Sequence, residues 1–276
     1  MYDTILVPTD GSDVAAAAAE AAVAFARRFG ADVHALYVRE SSDDDEGERA
    51  TTAVADRAAA AGVDATTAVV DAEGPISRRL LDYAAEHDAD CIVMGTHGRT
   101  GFGRFVLGSV AERTLRESSV PVLTVHEETV VDRDLDSILV PTDGSAGAAA
   151  AAAHAVDLAL ATGAALHVVH VVDIGVLPTD GSGAVLDELQ RAGRQALDSV
   201  VERAERADVS TIRASVLSGT PYRAITDYAD AEAVDLVVMG THGRTGMDRY
   251  LLGSVAERVV RLTDRPVLTL GDDPDD

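Results

Sequence analysis

Apolar residues fall along this chain in short continuous runs, separated by stretches where they recur every three or four positions. The runs Thr4–Pro8, Val33–Val38, Ala65–Val70, Cys91–Gly95 and Pro121–Val125 have the length of strands. They are continuous rather than alternating, which predicts strands buried on both faces of a parallel sheet. Between them lie helical patterns. Val14, Ala18, Ala22, Phe25 and Phe29 form a stripe that Gly30 ends. Ile76, Leu80 and Tyr83 mark a second helix, and Val110, Thr114 and Leu115 a third. The stretch Asp43–Ala61 is acidic and then Ala-rich, and reads as a loop leading into a helix. Five strands and four helices in strict alternation predict an α/β fold: a doubly wound, Rossmann-like domain with a five-stranded parallel sheet flanked by four helices.

The pattern then repeats. Ile5-Leu-Val-Pro-Thr-Asp-Gly-Ser12 recurs as Ile138-Leu-Val-Pro-Thr-Asp-Gly-Ser145, and Gly95-Thr-His-Gly-Arg-Thr-Gly101 as Gly240-Thr-His-Gly-Arg-Thr-Gly246. Leu107-Gly-Ser-Val-Ala-Glu-Arg113 recurs from Leu252, and Pro121-Val-Leu-Thr124 from Pro266. A repeat this long means two whole tandem domains rather than a solenoid. We place them at 1–130 and 131–276, with the boundary in the polar stretch Glu127 to Asp136. The strands of the second copy are Ser137–Pro141, Leu166–Val172, Thr211–Val216, Leu236–Gly240 and Pro266–Leu270. The second copy also carries extra residues near Gly175 to Gly183, where Pro178, Gly181 and Gly183 suggest a longer loop.

Composition narrows the chemistry. The 276 residues include no lysine; all 23 basic residues are arginine, against 47 Asp and Glu, for a net charge of −24. A Walker A phosphate loop and a lysine Schiff base are therefore excluded. The single Cys91 excludes an intrachain disulfide, CxxC redox chemistry and a cysteine-built zinc site; opening a buried strand, it reads as a small core residue. The negative charge argues against general binding to nucleic acid or anionic membrane. No apolar run reaches the ~18 residues of a membrane span, and Met1-Tyr2-Asp3 does not open a signal peptide, so a cytoplasmic location is expected. Acid-rich, lysine-free composition suits a halophilic cytoplasm, where molar salt shortens the Debye length to about 3 Å; the other reading is an acidic protein from a GC-rich genome.

In open α/β sheets ligands gather at the carboxyl ends of the strands. Asp10 and Asp143 sit there, just past the first strand of each copy. Each is either a hydrogen-bond acceptor for a ligand or part of a helix N-cap, a role Ser12 or Asp13 could equally fill. The second feature is a glycine loop after the fourth strand: Gly95, Gly98, Gly108 and Ser109, repeated as Gly240, Gly243, Gly253 and Ser254. Glycine allows positive φ and close approach of backbone N–H groups to a phosphate. Ser109 and Ser254 have capping-box spacing to Glu112 and Glu257, which puts Gly108 and Gly253 at a helix N-terminus that favours an anion. The alternative is a tight glycine turn and a serine that caps the helix. Residues 95–125 hold Arg99, Arg104, Arg113 and Arg116 against two acids, and residues 240–270 five arginines against three, so each glycine loop lies in a +2 island. These arginines are either placed for an anionic ligand or paired with nearby acids.

Pro-Thr-Asp-Gly-Ser after the first strand, Met-Gly-Thr-His-Gly-Arg-x-Gly after the fourth, and the Gly-x2-Gly-x9-Gly-Ser spacing together resemble the universal stress protein family, over nearly the whole chain. The resemblance implies an adenine nucleotide alpha hydrolase-like fold and a nucleotide-dependent sensor or switch in the stress response. It implies one ATP (or ADP or AMP) per domain, with magnesium or manganese bridging phosphates and no dedicated protein cage. Carried over, Asp10 and Asp143 hold ribose or adenine, and Val38 and Val171 line the adenine pocket through backbone. Gly95, Gly98, Gly108 and Ser109, with Gly240, Gly243, Gly253 and Ser254, hold phosphates. The resemblance further implies pairing of the fifth strands, which would make one chain a pseudo-dimer, with chains associating into a homodimer and a protein partner of unknown identity.

Some residues read as ordinary. His97 and His242 in the glycine loop either touch phosphate or hydrogen bond within the loop. His167 and His170 lie three apart on a strand and so point to opposite faces, not to one metal. No water-activating base stands out, and Gly-Ser-Val-Ala is not a nucleophile elbow, so any ATP hydrolysis is expected to be slow. The rival readings are a nucleotide-free interaction module and an adenylate-transferring enzyme of the same fold.

Overall fold

The computed structural model describes residues 1–40, 45–98, 107–129, 135–176, 183–243 and 252–271. The chain divides into two compact units, Met1–Arg133 and Asp134–Asp276.

In the first unit β1 (Thr4–Pro8), β2 (Asp32–Arg39), β3 (Ala65–Asp71), β4 (Cys91–Gly95) and β5 (Val122–Val125) alternate with helices. These are α1 (Asp13–Phe29), α2 (Asp45–Ala60), α3 (Ile76–Glu86) and α4 (Ser109–Glu117). The strands lie in the order β3-β2-β1-β4-β5, all parallel. The second unit follows the same plan with β6 (Ser137–Pro141), β7 (Ala165–Val172), β8 (Ile212–Ser218), β9 (Leu236–Gly240) and β10 (Val267–Leu270). Its helices are α5 (Ala146–Thr162), α6 (Gly183–Arg206), α7 (Pro221–Ala231) and α8 (Ser254–Leu262), and its strand order is β8-β7-β6-β9-β10, again parallel.

The doubly wound architecture follows from the apolar runs. Ile5, Leu6 and Val7 of β1 and Cys91, Ile92 and Val93 of β4 are all fully buried, because helices cover both faces of the central strands. In the first unit α1 packs with α2 and α3 with α4; in the second, α5 packs with α6 and α7 with α8. Strand order reverses between β1 and β4, and between β6 and β9, which opens a crevice at the carboxyl ends of the sheet.

Local chemistry fixes where the helices begin and end. The Ser12 hydroxyl accepts the Ala15 N–H at 3.2 Å, and Ser145 accepts that of Ala148 at the same distance. Gly30 and Gly163 close α1 and α5 in the left-handed region, with φ of 71° and 78°. The cap therefore belongs to Ser12 and Ser145. Asp10 and Asp143 hold the turn before it, each accepting the serine N–H, at 3.0 and 2.9 Å. Gly11 and Gly144 turn the chain there with φ of 78° and 80°.

One expectation is corrected. The extra residues of the second copy do not all go into a loop: α6 has 24 residues where α2 has 16. After β7 come a short 3-10 turn, Ile174–Val176, and then residues 177–182, which with Pro178 and Gly181 lie outside the described residues. Asp43, at the start of the acidic stretch, also lies outside them, as do residues 130–134 of the boundary segment.

Candidate functional site

A cleft of about 460 Å³ opens at the carboxyl edge of the second unit's sheet. It brings together Asp143, Val171, Gly240, Gly243, Gly253 and Ser254, which lie up to 111 positions apart in the chain. One side is apolar: Val169 and Val171 from β7, Pro221 and Ile225 from α7, and Met239 from β9. The other is the glycine loop and the start of α8. Such a shape offers a flat apolar wall to one end of a ligand and backbone N–H groups to the other.

The glycine positions differ in what they do. A Cβ on Gly243 would stand 2.8 Å from the Asp143 Oδ2, and one on Gly98 2.5 Å from the Asp10 Oδ2. These glycines let the loop close onto the carboxylate. At Gly240 a Cβ would meet backbone of Gly147 at 2.8 Å, and at Gly95 it would meet the Val14 side chain at 2.5 Å. Here glycine lets the helix packed on the strand, α1 on β4 or α5 on β9, approach the strand end. Gly108 and Gly253 donate their N–H groups to the Thr96 and Thr241 carbonyls at 2.8 Å, which draws the two ends of each loop together. The six glycines all lie outside the left-handed region, so close approach rather than positive φ is what requires them.

Gly108 and Gly253 are the N-cap residues of α4 and α8, with no side-chain cap hydrogen bond. Ser109 and Ser254 are thus the first helical residues, not caps, and both are exposed. The capping box that their spacing suggested does not form. A helix start with no side-chain cap leaves its first-turn N–H groups facing outward, where helix dipole and donors favour an anion. Val38 occupies in β2 the place that Val171 has in β7, one residue before each strand's end.

The arginine islands need revision. Arg116 pairs with Glu117 at 2.7 Å, and Arg113 lies 3.7 Å from the same carboxylate. Arg261 pairs with Glu257 at 3.0 Å, and Arg265 lies 3.5 Å from Asp230. Arg258 sits 5.0 Å over the Tyr222 ring. These described arginines engage neighbouring acids and an aromatic ring; for Arg113 with Glu117 and Arg261 with Glu257, i,i+4 spacing on one helix puts the partners together. Arg99, Arg104, Arg244 and Arg249 lie outside the described residues.

The loop histidines bond locally: His97 Nδ1 lies 3.3 Å from the Thr96 hydroxyl, and His242 Nδ1 3.0 Å from that of Thr241. Both threonines are buried, and Thr96 also reaches His126 Nδ1 at 3.0 Å. Sequence reading missed these threonines, although the repeat of Gly-Thr-His-Gly in both copies carried the signal. It also missed the apolar wall from α7, which no local motif marks. His167 and His170 do face opposite ways. His167 meets the Tyr228 hydroxyl at 3.1 Å, and His170 bonds the Thr142 carbonyl at 2.8 Å. Cys91 is fully buried, and burial pushes its thiol up to about 12, which leaves it inert. Among the described residues no cluster of three or more His, Cys, Asp or Glu is placed to hold a metal, and no helix is long and apolar enough to cross a membrane.

The model of the universal stress protein family matches residues 1–126 and again 135–270. The chain belongs to the universal stress protein family. A universal stress protein of Methanocaldococcus jannaschii is 41% identical over 137 residues, covering 48% of this chain and 80% of its own. One from Mycolicibacterium smegmatis is 32% identical over 198 residues; the match spans 71% of this chain and only 65% of that relative's length. Among solved structures, a universal stress protein of Archaeoglobus fulgidus aligns with a TM-score of 0.75 at 26% identity, over 97% of this chain and 98% of its own. The two family matches coincide with the two copies of the glycine loop, so the duplicated motif is a duplicated universal stress protein domain.

Proposed function

We propose that this universal stress protein binds one adenine nucleotide in each half and acts as a nucleotide-dependent switch rather than as a metabolic enzyme. The observation that carries the reading is the cleft of the second unit. Apolar Val171, Ile225 and Met239 stand across from a helix start, Gly253-Ser254, that has no side-chain cap. A purine ring suits the first wall and phosphates suit the second. Asp143, which lines the cleft beside Gly243, would accept hydrogen bonds from ribose hydroxyls between them. Asp10, Val38, Gly98, Gly108 and Ser109 would serve the first half in the same way. Magnesium or manganese, when present, would screen the phosphate charge and be held by the nucleotide rather than by protein side chains.

The switch follows from where the ligand would sit. Phosphate held at Gly98, Gly108 and Ser109, and at Gly243, Gly253 and Ser254, would alter the surface that each glycine loop offers to a partner protein. Calorimetric titration of the intact protein in molar KCl with ATP, ADP, AMP and cAMP tests the reading; cAMP belongs in the panel because a universal stress protein has been solved in complex with it. Saturable binding of an adenine nucleotide is expected. Absence of binding by all four would overturn the proposal.

A further inference from the structure

Away from the carboxyl edge, the first unit carries a cluster of rings that the nucleotide reading does not use. His34, near the start of β2, lies with its ring 5.6 Å from that of His87, the residue that caps the end of α3. Tyr83 packs between strand and helix end, its ring 4.0 Å from His87 and 6.4 Å from His34. The His34 Nδ1 is buried and has no hydrogen-bond partner. A buried imidazole nitrogen left unpaired calls for an ion or water that satisfies it.

The duplication supplies an internal comparison. The same three positions in the second unit hold His167, Tyr228 and Glu232. There the Nδ1 of His167 is satisfied by the Tyr228 hydroxyl at 3.1 Å, and Glu232 is engaged by Arg213 at 2.9 Å. The second unit has closed this corner with its own side chains. The first has replaced the acid with a second imidazole and left the strand histidine's nitrogen open.

We propose that His34 and His87 form a two-imidazole site for a borderline transition-metal cation such as Zn2+, at the amino-terminal end of the first unit's sheet. Two imidazoles that share one tetrahedral cation, each bound through nitrogen at about 2.0–2.1 Å, hold their ring centres roughly 5–5.5 Å apart. The observed 5.6 Å is close to that span. Asp32, two residues earlier on the same strand face, is close enough to act on His34 electrostatically and adds the negative charge that favours a cation. Water completes the coordination, since no third His, Cys, Asp or Glu among the described residues is placed to join them. Nitrogen ligands set the preference for zinc, nickel or copper over magnesium and calcium.

The test is titration of the full chain with Zn2+ in molar KCl and excess Mg2+, which occupies surface carboxylates. One Zn2+ is expected in the tightest class of site, with affinity falling at least tenfold in His87→Asn and in His34→Gln. His87 is exposed, so its variant keeps the fold, and its melting curve without zinc should overlay that of the parent. A Glu232→His variant should not create a second site, because His167 stays bonded to Tyr228. Zinc binding of equal strength in His87→Asn, or no zinc binding by the parent, would overturn the proposal.

Discussion

Gly98 and Gly240 show how one residue type answers two different demands. A side chain on Gly98 would strike only the Oδ2 end of the Asp10 carboxylate, a side-chain group that shifts more readily than backbone, although its Oδ1 accepts the Ser12 N–H. A side chain on Gly240 would strike the backbone of Gly147 at 2.8 Å, which cannot move without shifting α5. Gly98→Ala and Gly243→Ala should therefore melt close to the parent. Gly240→Ala should lose about 1–3 kcal/mol to overpacking, measured by equilibrium unfolding. Equal stability of all three variants would contradict this division of roles. The distinction was not legible in the sequence, where both glycines look like parts of the same repeated phosphate-loop motif.

At the scale of elements, α1 and α4 start in opposite ways. Ser12 caps α1 with its hydroxyl, whereas Gly108 begins α4 with no side-chain cap hydrogen bond, and Ser109 stands exposed in the first turn. Ser12→Ala should cost about 1 kcal/mol of stability. Ser109→Ala should stay within about 0.5 kcal/mol of the parent while weakening nucleotide binding. Chemical denaturation of the two variants separates them, and a Ser109→Ala cost as large as that of Ser12→Ala would restore the capping role. Strands were the most legible elements. β1, β4, β6 and β9 run between the residues that their apolar runs indicated, because burial on both faces leaves polar residues only at the ends. The outer strand β3 starts at Ala65 as its run indicated and extends one residue further, to Asp71, which is exposed at the sheet edge. The extra residues of the second copy read as a longer loop near Gly175 to Gly183 because Pro178, Gly181 and Gly183 carry turn chemistry, whereas helix begins at Gly183 and α6 takes up part of the added length. Asp143 and the cleft glycines after the first and fourth strands of the repeat were legible through duplication, and Val171 of the second strand only through the family resemblance. Pro221 and Ile225 were not, since they come from a helix whose sequence is that of any amphipathic packing surface.

For the whole molecule, charge is the dominant feature: −24 over 276 residues, with all 23 cations arginine. Several of these arginines are tied to acids on their own helices, as Arg49 to Asp45 and Arg78 to Asp82. Exposed pairs of this kind contribute little, and a large net negative charge remains to be screened. Thermal midpoints should rise between about 0.1 M and 1 M KCl, as the Debye length falls from about 10 Å to about 3 Å. A protein equally stable at both would contradict the high-salt reading. The central claim, one nucleotide site per half built on a glycine loop closed against an aspartate, is tested most directly by counting sites. Calorimetry in molar KCl should find two adenine nucleotides per chain in the parent, one in Gly98→Val, one in Gly243→Val and none in the folded double variant. Unchanged stoichiometry in both single variants would contradict it.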